Sequence, residues 1–337
     1  MKFSYAHLFS AAFIALLMVP LRTLALDPET IGDRFYGRQE LISLASDARI
    51  LIGDRVFPNV IVGEHGWLMY TAESDLDDYQ KVGLFKQARL AQIQESLDAL
   101  SSRYAERGIT LLVVIAPNKN TIYPERVPDQ IRVIGEQTPL DQLTAYLREH
   151  GKTQLLDLRP ALLAARRQRE IYYSTDTHWN DYGAYIAYAE IMSALHGTFP
   201  NLEARPQTDF RAITEPPELL DLSKNTGSTL FPESRVRLSP LFETHTRYRD
   251  VAVGARKLMF STNPNATLPR VVVYHDSFFF RVIPLLGEHF SSGLFVQSNI
   301  AGGLWSLSWV DELKPDVVII EFAERYLKNL PELLDTQ

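Results

Sequence analysis

Three apolar runs of strand length, each ending in a polar cluster, constrain this chain more than any other feature. Ile109 to Ala116 is almost unbroken and stops at Pro117-Asn118-Lys119-Asn120. Val271-Val272-Val273-Tyr274 is mostly β-branched and stops at His275-Asp276-Ser277. Asp316 to Phe322 carries Glu321 near its end and is soon followed by Arg325. Runs that stay apolar at successive positions bury both faces of a strand, as in a parallel sheet covered by helices on each side.

The segments between supply those helices. From Tyr79 to Arg107, residues Leu84, Ala88, Leu90, Ile93, Leu97 and Leu100 recur at roughly helical spacing, and Gly108 stops the pattern. Leu140 to His150 reads as a helix stopped by Gly151, followed by a strand from Thr153 to Leu158. Pro160 to Arg169 places a proline at the first turn, where its missing N–H costs nothing. Asn180 can cap a helix running to Leu195, with His196-Gly197 as its stop. The strand from Arg270 to Tyr274 leads into a helix through Leu286. Alternating strands and helices predict an α/β fold with a mostly parallel sheet.

The flanks differ. Lys2 precedes an apolar stretch from about Leu8 to Leu21, and Thr23-Leu24-Ala25 offers small residues for cleavage. Residues 1–25 therefore read as either a signal peptide or an uncleaved membrane anchor, and the body is expected to work outside the cytoplasm. Residues 26–57 read as a linker with one short amphipathic helix, Arg38 to Ile52. Val60-Ile61-Val62-Gly63 and Trp67-Leu68-Met69-Tyr70 frame a hairpin whose aromatics pack on the core of the main domain, 58–337. Between about 200 and 251 the pattern fails, and this stretch reads as an irregular insertion on the same domain.

Composition narrows the function. The net charge of -7 gives no electrostatic footprint for nucleic acid. With no cysteine, disulfide frameworks, thiolate metal sites and cysteine nucleophiles are all excluded.

The chemistry must come from polar residues at strand ends, where open parallel sheets place their sites. Ser277 lies at a strand-to-helix turn, where it can act as a nucleophile near helix N–H groups or simply cap the helix. Asp176-Thr177-His178 precedes the Asn180 helix, and its spacing allows Asp176 to accept from Nδ1 while Nε2 takes a serine proton. The alternative is a polar surface loop. His275 sits two residues before the serine, poorly placed as its base, and His150, His196 and His289 read as surface or helix-end histidines. A mixed metal site from Asp176, His178, His275 and Asp276 is the weaker option, because no helical His-x-x-x-His spacing occurs. Asn118, Lys119, Glu321 and Arg325 follow neighbouring strands and are candidates for an oxyanion hole or for holding an anionic sugar; turn chemistry and ion pairing are the alternatives.

Four ordered pieces resemble the alginate O-acetyltransferase family of SGNH-hydrolase-like proteins. They are Gly63-Glu64-His65-Gly66-Trp67-Leu68, the segment Pro117 to Glu125, Asp176-Thr177-His178-Trp179-Asn180 and His275-Asp276-Ser277-Phe278. The resemblance implies a three-layer, flavodoxin-like SGNH-type fold in which the Asp-His pair precedes the serine. It implies Ser277 as nucleophile, His178 as base and Asp176 as its orienter, with no cofactor. It also implies an acyl group passed to a hydroxyl of an exported polysaccharide; because acetyl-CoA is cytoplasmic and the chain has no obvious nucleotide-binding loop, a membrane-bound donor protein is expected to supply the acetyl group. An esterase of the same fold and a non-catalytic polysaccharide-binding protein are the rival readings. His275 departs from the family, which often has glycine before the Asp-Ser pair.

Overall fold

The computed structural model describes residues 37–153, 155–253, 256–297 and 308–330. The segment expected to be a signal peptide or anchor lies outside them. Among the described residues no helix is long and apolar enough to cross a membrane.

The chain enters through the helix Arg38–Leu51 and a small antiparallel sheet of β1 (Val56–Phe57), β2 (Val60–Val62) and β3 (Leu68–Tyr70). The expected hairpin is β2–β3, with Val60 opposite Tyr70, and Trp67 is buried at its turn. Next come β4 (Thr110–Ala116) and β5 (Leu155–Asp157), then a hairpin of β6 (Phe210–Leu219) and β7 (Pro232–Pro240). The remaining strands are β8 (Arg247–Val253), β9 (Arg256–Thr262), β10 (Arg270–His275), β11 (Ser292–Gln297) and β12 (Val317–Ala323).

Seven strands form the central sheet in the order β5-β4-β12-β10-β11-β9-β8. The first five run parallel, and β9 and β8 add an antiparallel edge. Successive residues of each apolar run feed opposite faces. Leu112, Val114, Val271, Val273 and Ile319 join the core under the helix Asp181–His196, with Ala184, Tyr188 and Ile191. Val113, Ile115, Val272, Tyr274 and Ile320 join the core under the helices Gln87–Ala105 and Pro139–His150. The fold is thus three layers, mixed α/β, with a mostly parallel sheet. Each fully buried Val, Ile or Leu contributes roughly 1.5–3 kcal/mol to holding those layers together.

Two expectations need correction. The helix read from Tyr79 to Arg107 is two helices, Asp75–Gln80 and Gln87–Ala105. Lys81 and Gly83 take the left-handed conformation between them, at φ 59° and 72°, and Leu84 is exposed rather than part of the apolar stripe. The segment after Ser277 begins as a 3-10 helix, Ser277–Arg281, before the short α-helix Ile283–Leu286. The insertion at 200–251 lies outside the alternating pattern, yet much of it is ordered as the β6–β7 hairpin. Pro216 and Pro217 fall where the register shifts between Thr214 and Pro217, which is how a two-stranded ladder accommodates residues without an N–H. Those prolines are also what hid the strand.

Candidate active site

The strands β4, β12 and β10 are neighbours, and their carboxyl ends bring three polar clusters together. At the end of β10 the backbone of Asp276 is extended, and its Oδ1 accepts the Phe278 N–H at 2.8 Å. Asp276 Oδ2 accepts the Ala323 N–H at 2.7 Å, tying the turn to the end of β12. Asp276 therefore caps the 3-10 helix headed by Ser277 and pins it to the sheet.

The facing loop is a tight reversal in which Tyr172 bridges Trp179 and Asn180 caps the following helix through the Tyr182 and Gly183 N–H groups. His178 projects from it. Its Nε2 lies 2.7 Å from Ser277 Oγ, and its Nδ1 lies 2.6 Å from Asp176 Oδ1. Asp176 Oδ1 also accepts the His178 backbone N–H at 3.0 Å. Burial works against the Asp176 carboxylate, but these bonds and the nearby Lys119 hold it well below the usual carboxylate range. A charged Asp176 on Nδ1 fixes the tautomer that leaves Nε2 free to accept from serine.

A latch sets the two halves in register. Trp179 Nε1 donates to the Phe278 carbonyl at 3.0 Å, and the two rings pack edge-on with centroids 5.1 Å apart. The Phe278 ring also lies 4.8 Å from the His178 ring.

The other residues singled out in the sequence have different surroundings. Asn118 is fully buried, and its Nδ2 donates to Asp78 Oδ2 at 3.0 Å while its Oδ1 accepts the Arg325 N–H at 3.2 Å. Through these contacts its amide ties the end of β4 to Asp78 and to the segment after β12. Lys119 is also internal. Its Nζ donates to the carbonyls of Tyr173 at 3.3 Å, Ser174 at 3.1 Å and Asp176 at 2.7 Å. It holds the histidine loop instead of facing a sugar, and burial pulls its pKa down to about 8.

Glu321 is buried and accepts the Asp276 N–H at 3.1 Å; burial, then Asp276, pushes its carboxyl well above the usual range. Arg325 is buried too, with its guanidinium over the rings of Tyr326, Tyr70 and Phe278 and 3.9 Å from Asp75. Both belong to the layer beneath the serine turn.

His275 is buried, donates from Nδ1 to the Asp276 carbonyl at 2.7 Å and is kept neutral by burial. It cannot serve as the base. His289, read as a surface or helix-end residue, ends the short 3-10 helix Gly287–His289; it pairs with the Tyr188 hydroxyl at 2.6 Å, and burial pulls its pKa down to about 4.

The structure adds residues that the sequence reading did not reach. Asp221, from the insertion, places Oδ2 3.6 Å from His178 Nδ1 and accepts the Thr177 N–H on Oδ1 at 2.8 Å. Glu233, also from the insertion, accepts the Ser174 and Thr175 N–H groups at 2.9 and 2.7 Å. Both sit in a segment without hydrophobic period; the only local signal was acid residues among prolines and leucines. Asp176, His178 and Asp221 form the one cluster of three potential metal ligands among the described residues. The 2.6 Å contact between Nδ1 and Asp176 is a direct hydrogen bond. Two atoms sharing a cation, each about 2 Å from it, would stand farther apart.

Fold and site together define a three-layer α/β protein with a serine, a histidine and an aspartate converging at the carboxyl edge of its sheet. Residues 60–273, well over half of the chain, match the family described as SGNH hydrolase-like domain, acetyltransferase AlgX, and the chain belongs to that family. A probable alginate O-acetylase AlgJ from Pseudomonas syringae pv. tomato is 28% identical over 305 residues, covering 80% of this chain and 69% of that protein. The same fold recurs in Bacillus cereus PatB1, at TM-score 0.60 and 14% identity over 80% of this chain and 96% of that one. It recurs in the O-acetyltransferase domain of Pseudomonas putida AlgJ, at TM-score 0.52 and 19% identity over 83% of this chain and 95% of that one.

Proposed function

We propose that this protein transfers an acetyl group through an acyl-serine to a hydroxyl of an exported polysaccharide, alginate being the kind its relatives' names indicate. The observation that carries the reading is the chain of contacts from Ser277 Oγ through both His178 nitrogens to Asp176, at 2.7 and 2.6 Å. In the first step Ser277 attacks the acetyl carbonyl as His178 Nε2 takes its proton, and Asp176 stabilises the resulting imidazolium. The Ser277 N–H, at the head of the 3-10 helix, faces the charge that develops on the carbonyl oxygen. The histidine returns its proton to the leaving group, and Ser277 is left acetylated. A sugar hydroxyl then gives its proton to His178 and attacks the acyl carbonyl; the bond to Ser277 Oγ breaks, and His178 passes the proton to Oγ, restoring the serine.

The donor is an acetyl carrier presented by a membrane-bound protein, and the work is done outside the cytoplasm, in keeping with the apolar N-terminal stretch. No resident metal or cofactor enters the scheme. Water in place of the sugar would make the same site an esterase, so the two readings part on the acceptor. Incubation with an activated acetyl ester, followed by intact-mass measurement, should give one acetyl adduct in the native protein and none in Ser277→Ala. An undiminished adduct in Ser277→Ala overturns the proposal. Faster product formation with an oligosaccharide acceptor than with water favours the transferase over the esterase.

A further inference from the structure

The insertion does more than decorate the sheet edge. Its short helix Asp221–Thr226 and strand β7 close over the loop that carries His178. The Leu222 and Ser223 N–H groups donate to the Thr175 carbonyl at 3.2 and 3.3 Å. Glu233 takes the Ser174 and Thr175 N–H groups and the Thr175 hydroxyl, and Asp221 Oδ1 takes the Thr177 N–H. From the other side Lys119 holds three carbonyls of the same loop. The loop's peptide groups therefore lie between one cation and two carboxylates, with the Ser174, Thr175 and Thr177 N–H groups toward the anions and the Tyr173, Ser174 and Asp176 carbonyls toward the cation.

Asp221 stands apart from Glu233 because its second oxygen is directed at the histidine. Oδ2 lies 3.6 Å from Nδ1, the nitrogen already bonded to Asp176. We propose that Asp221 is a second carboxylate for His178, a positioning residue that the insertion supplies to stabilise the imidazolium formed when Ser277 is deprotonated. The proposal rests on the reading of His178 as the base for Ser277. The anchor on the Thr177 N–H fixes Asp221 independently of the ring, so the carboxyl needs no reorganisation when the proton moves; burial and the neighbouring Asp176 raise its pKa, and a charged His178 ring and the Thr177 bonds lower it. At 3.6 Å it is not hydrogen-bonded to the ring and pairs with it only once His178 is protonated, and its side chain is 37% exposed. Its effect is therefore smaller than that of Asp176.

The chemistry of Asp221→Asn separates this role from a merely structural one. The amide oxygen can still accept the Thr177 N–H, so the loop remains anchored while the charge is removed. Steady-state turnover of an activated acetyl ester should show kcat lowered about two- to fivefold with KM unchanged, the scale expected of a partly exposed ion pair felt in the transition state. The urea unfolding midpoint of Asp221→Asn should match that of the native protein, whereas Asp221→Ala should lose both stability and kcat. Combined with Asp176→Asn, the loss should be less than the product of the two single losses, because both carboxylates act on one ring. A native kcat in Asp221→Asn, or a kcat loss matched by a fall in the unfolding midpoint, overturns the proposal. Retained acetylation of Ser277→Ala would instead remove the underlying reading, so the two failures are distinguishable.

Discussion

Replacing Trp179 by Phe tests whether one indole hydrogen bond keeps His178 in register with Ser277. Trp179 is fully buried, and its Nε1–H is the partner of the Phe278 carbonyl. A phenyl ring can fill most of the site but cannot donate. The buried carbonyl of Phe278 then lacks this donor, at about 1–3 kcal/mol, and the smaller ring leaves space worth roughly 1–2 kcal/mol more. The net loss should be about 2–5 kcal/mol, which lowers the thermal midpoint by about 3–7 °C in a chain of this size. The same change frees the His178 loop from the serine turn. Movement of about 1 Å at the 2.7 Å contact between His178 and Ser277 should slow acylation by about a hundredfold. Differential scanning calorimetry reads the first effect, and the pre-steady-state rate of acetyl-ester acylation reads the second. A Trp179→Phe protein that is destabilised but acylates at the native rate would refute the latch, since Trp179 would then be only a core residue.

Three further outcomes follow from buried groups. Burial raises Asp75 to about 7 and Asp78 to about 9, so the native state keeps protons that the unfolded chain releases near pH 4. Their stabilisation is full below that value and is lost as pH rises through 7 and 9; melting temperature should fall from pH 5 to pH 8, and Asp78→Asn should flatten the slope. Glu321→Gln should change the unfolding free energy by less than about 1 kcal/mol, because the carboxyl is held neutral and an amide oxygen can still accept the Asp276 N–H. Gly183→Ala should destabilise by about 1–3 kcal/mol in urea unfolding, although alanine favours helix, because the new Cβ would meet the Ile171 carbonyl and come within 2.7 Å of Trp179 Cβ.

The sheet was readable because β4, β10 and β12 are buried on both faces and leave an almost continuous apolar trace. Asp176, His178 and Ser277 could be named from residue type and position at element ends, although their meeting across 99 residues of chain could not. What escaped depends on partners remote in sequence. Lys119 looks like an exposed cation at a strand end until three carbonyls from a loop more than fifty residues away surround it. Asn118 looks like a free amide until Asp78 and Arg325 occupy it. Asp221 carries no local signature, because its role is defined by a ring and a peptide N–H on another segment.

The two halves of the site are held by different physics. The serine turn is fixed by the sheet itself: Asp276 spans from the Phe278 N–H of the 3-10 helix to the Ala323 N–H, which strand pairing has already placed at the end of β12. The histidine loop has little pairing of its own beyond the Tyr172–Trp179 bridge. Its order comes from groups on other segments: Lys119 just after β4, the carboxylates and backbone N–H groups of the insertion, and the β2–β3 hairpin, whose Leu68 N–H donates to the Ser174 carbonyl at 2.8 Å. A loop clasped in this way can be displaced by changes in the insertion that leave both cores under the sheet intact. Substitutions at Asp221 or Glu233 should therefore reduce acylation at nearly constant fold content, whereas changes at Asp276 should disturb the serine turn and the ends of β10 and β12 together.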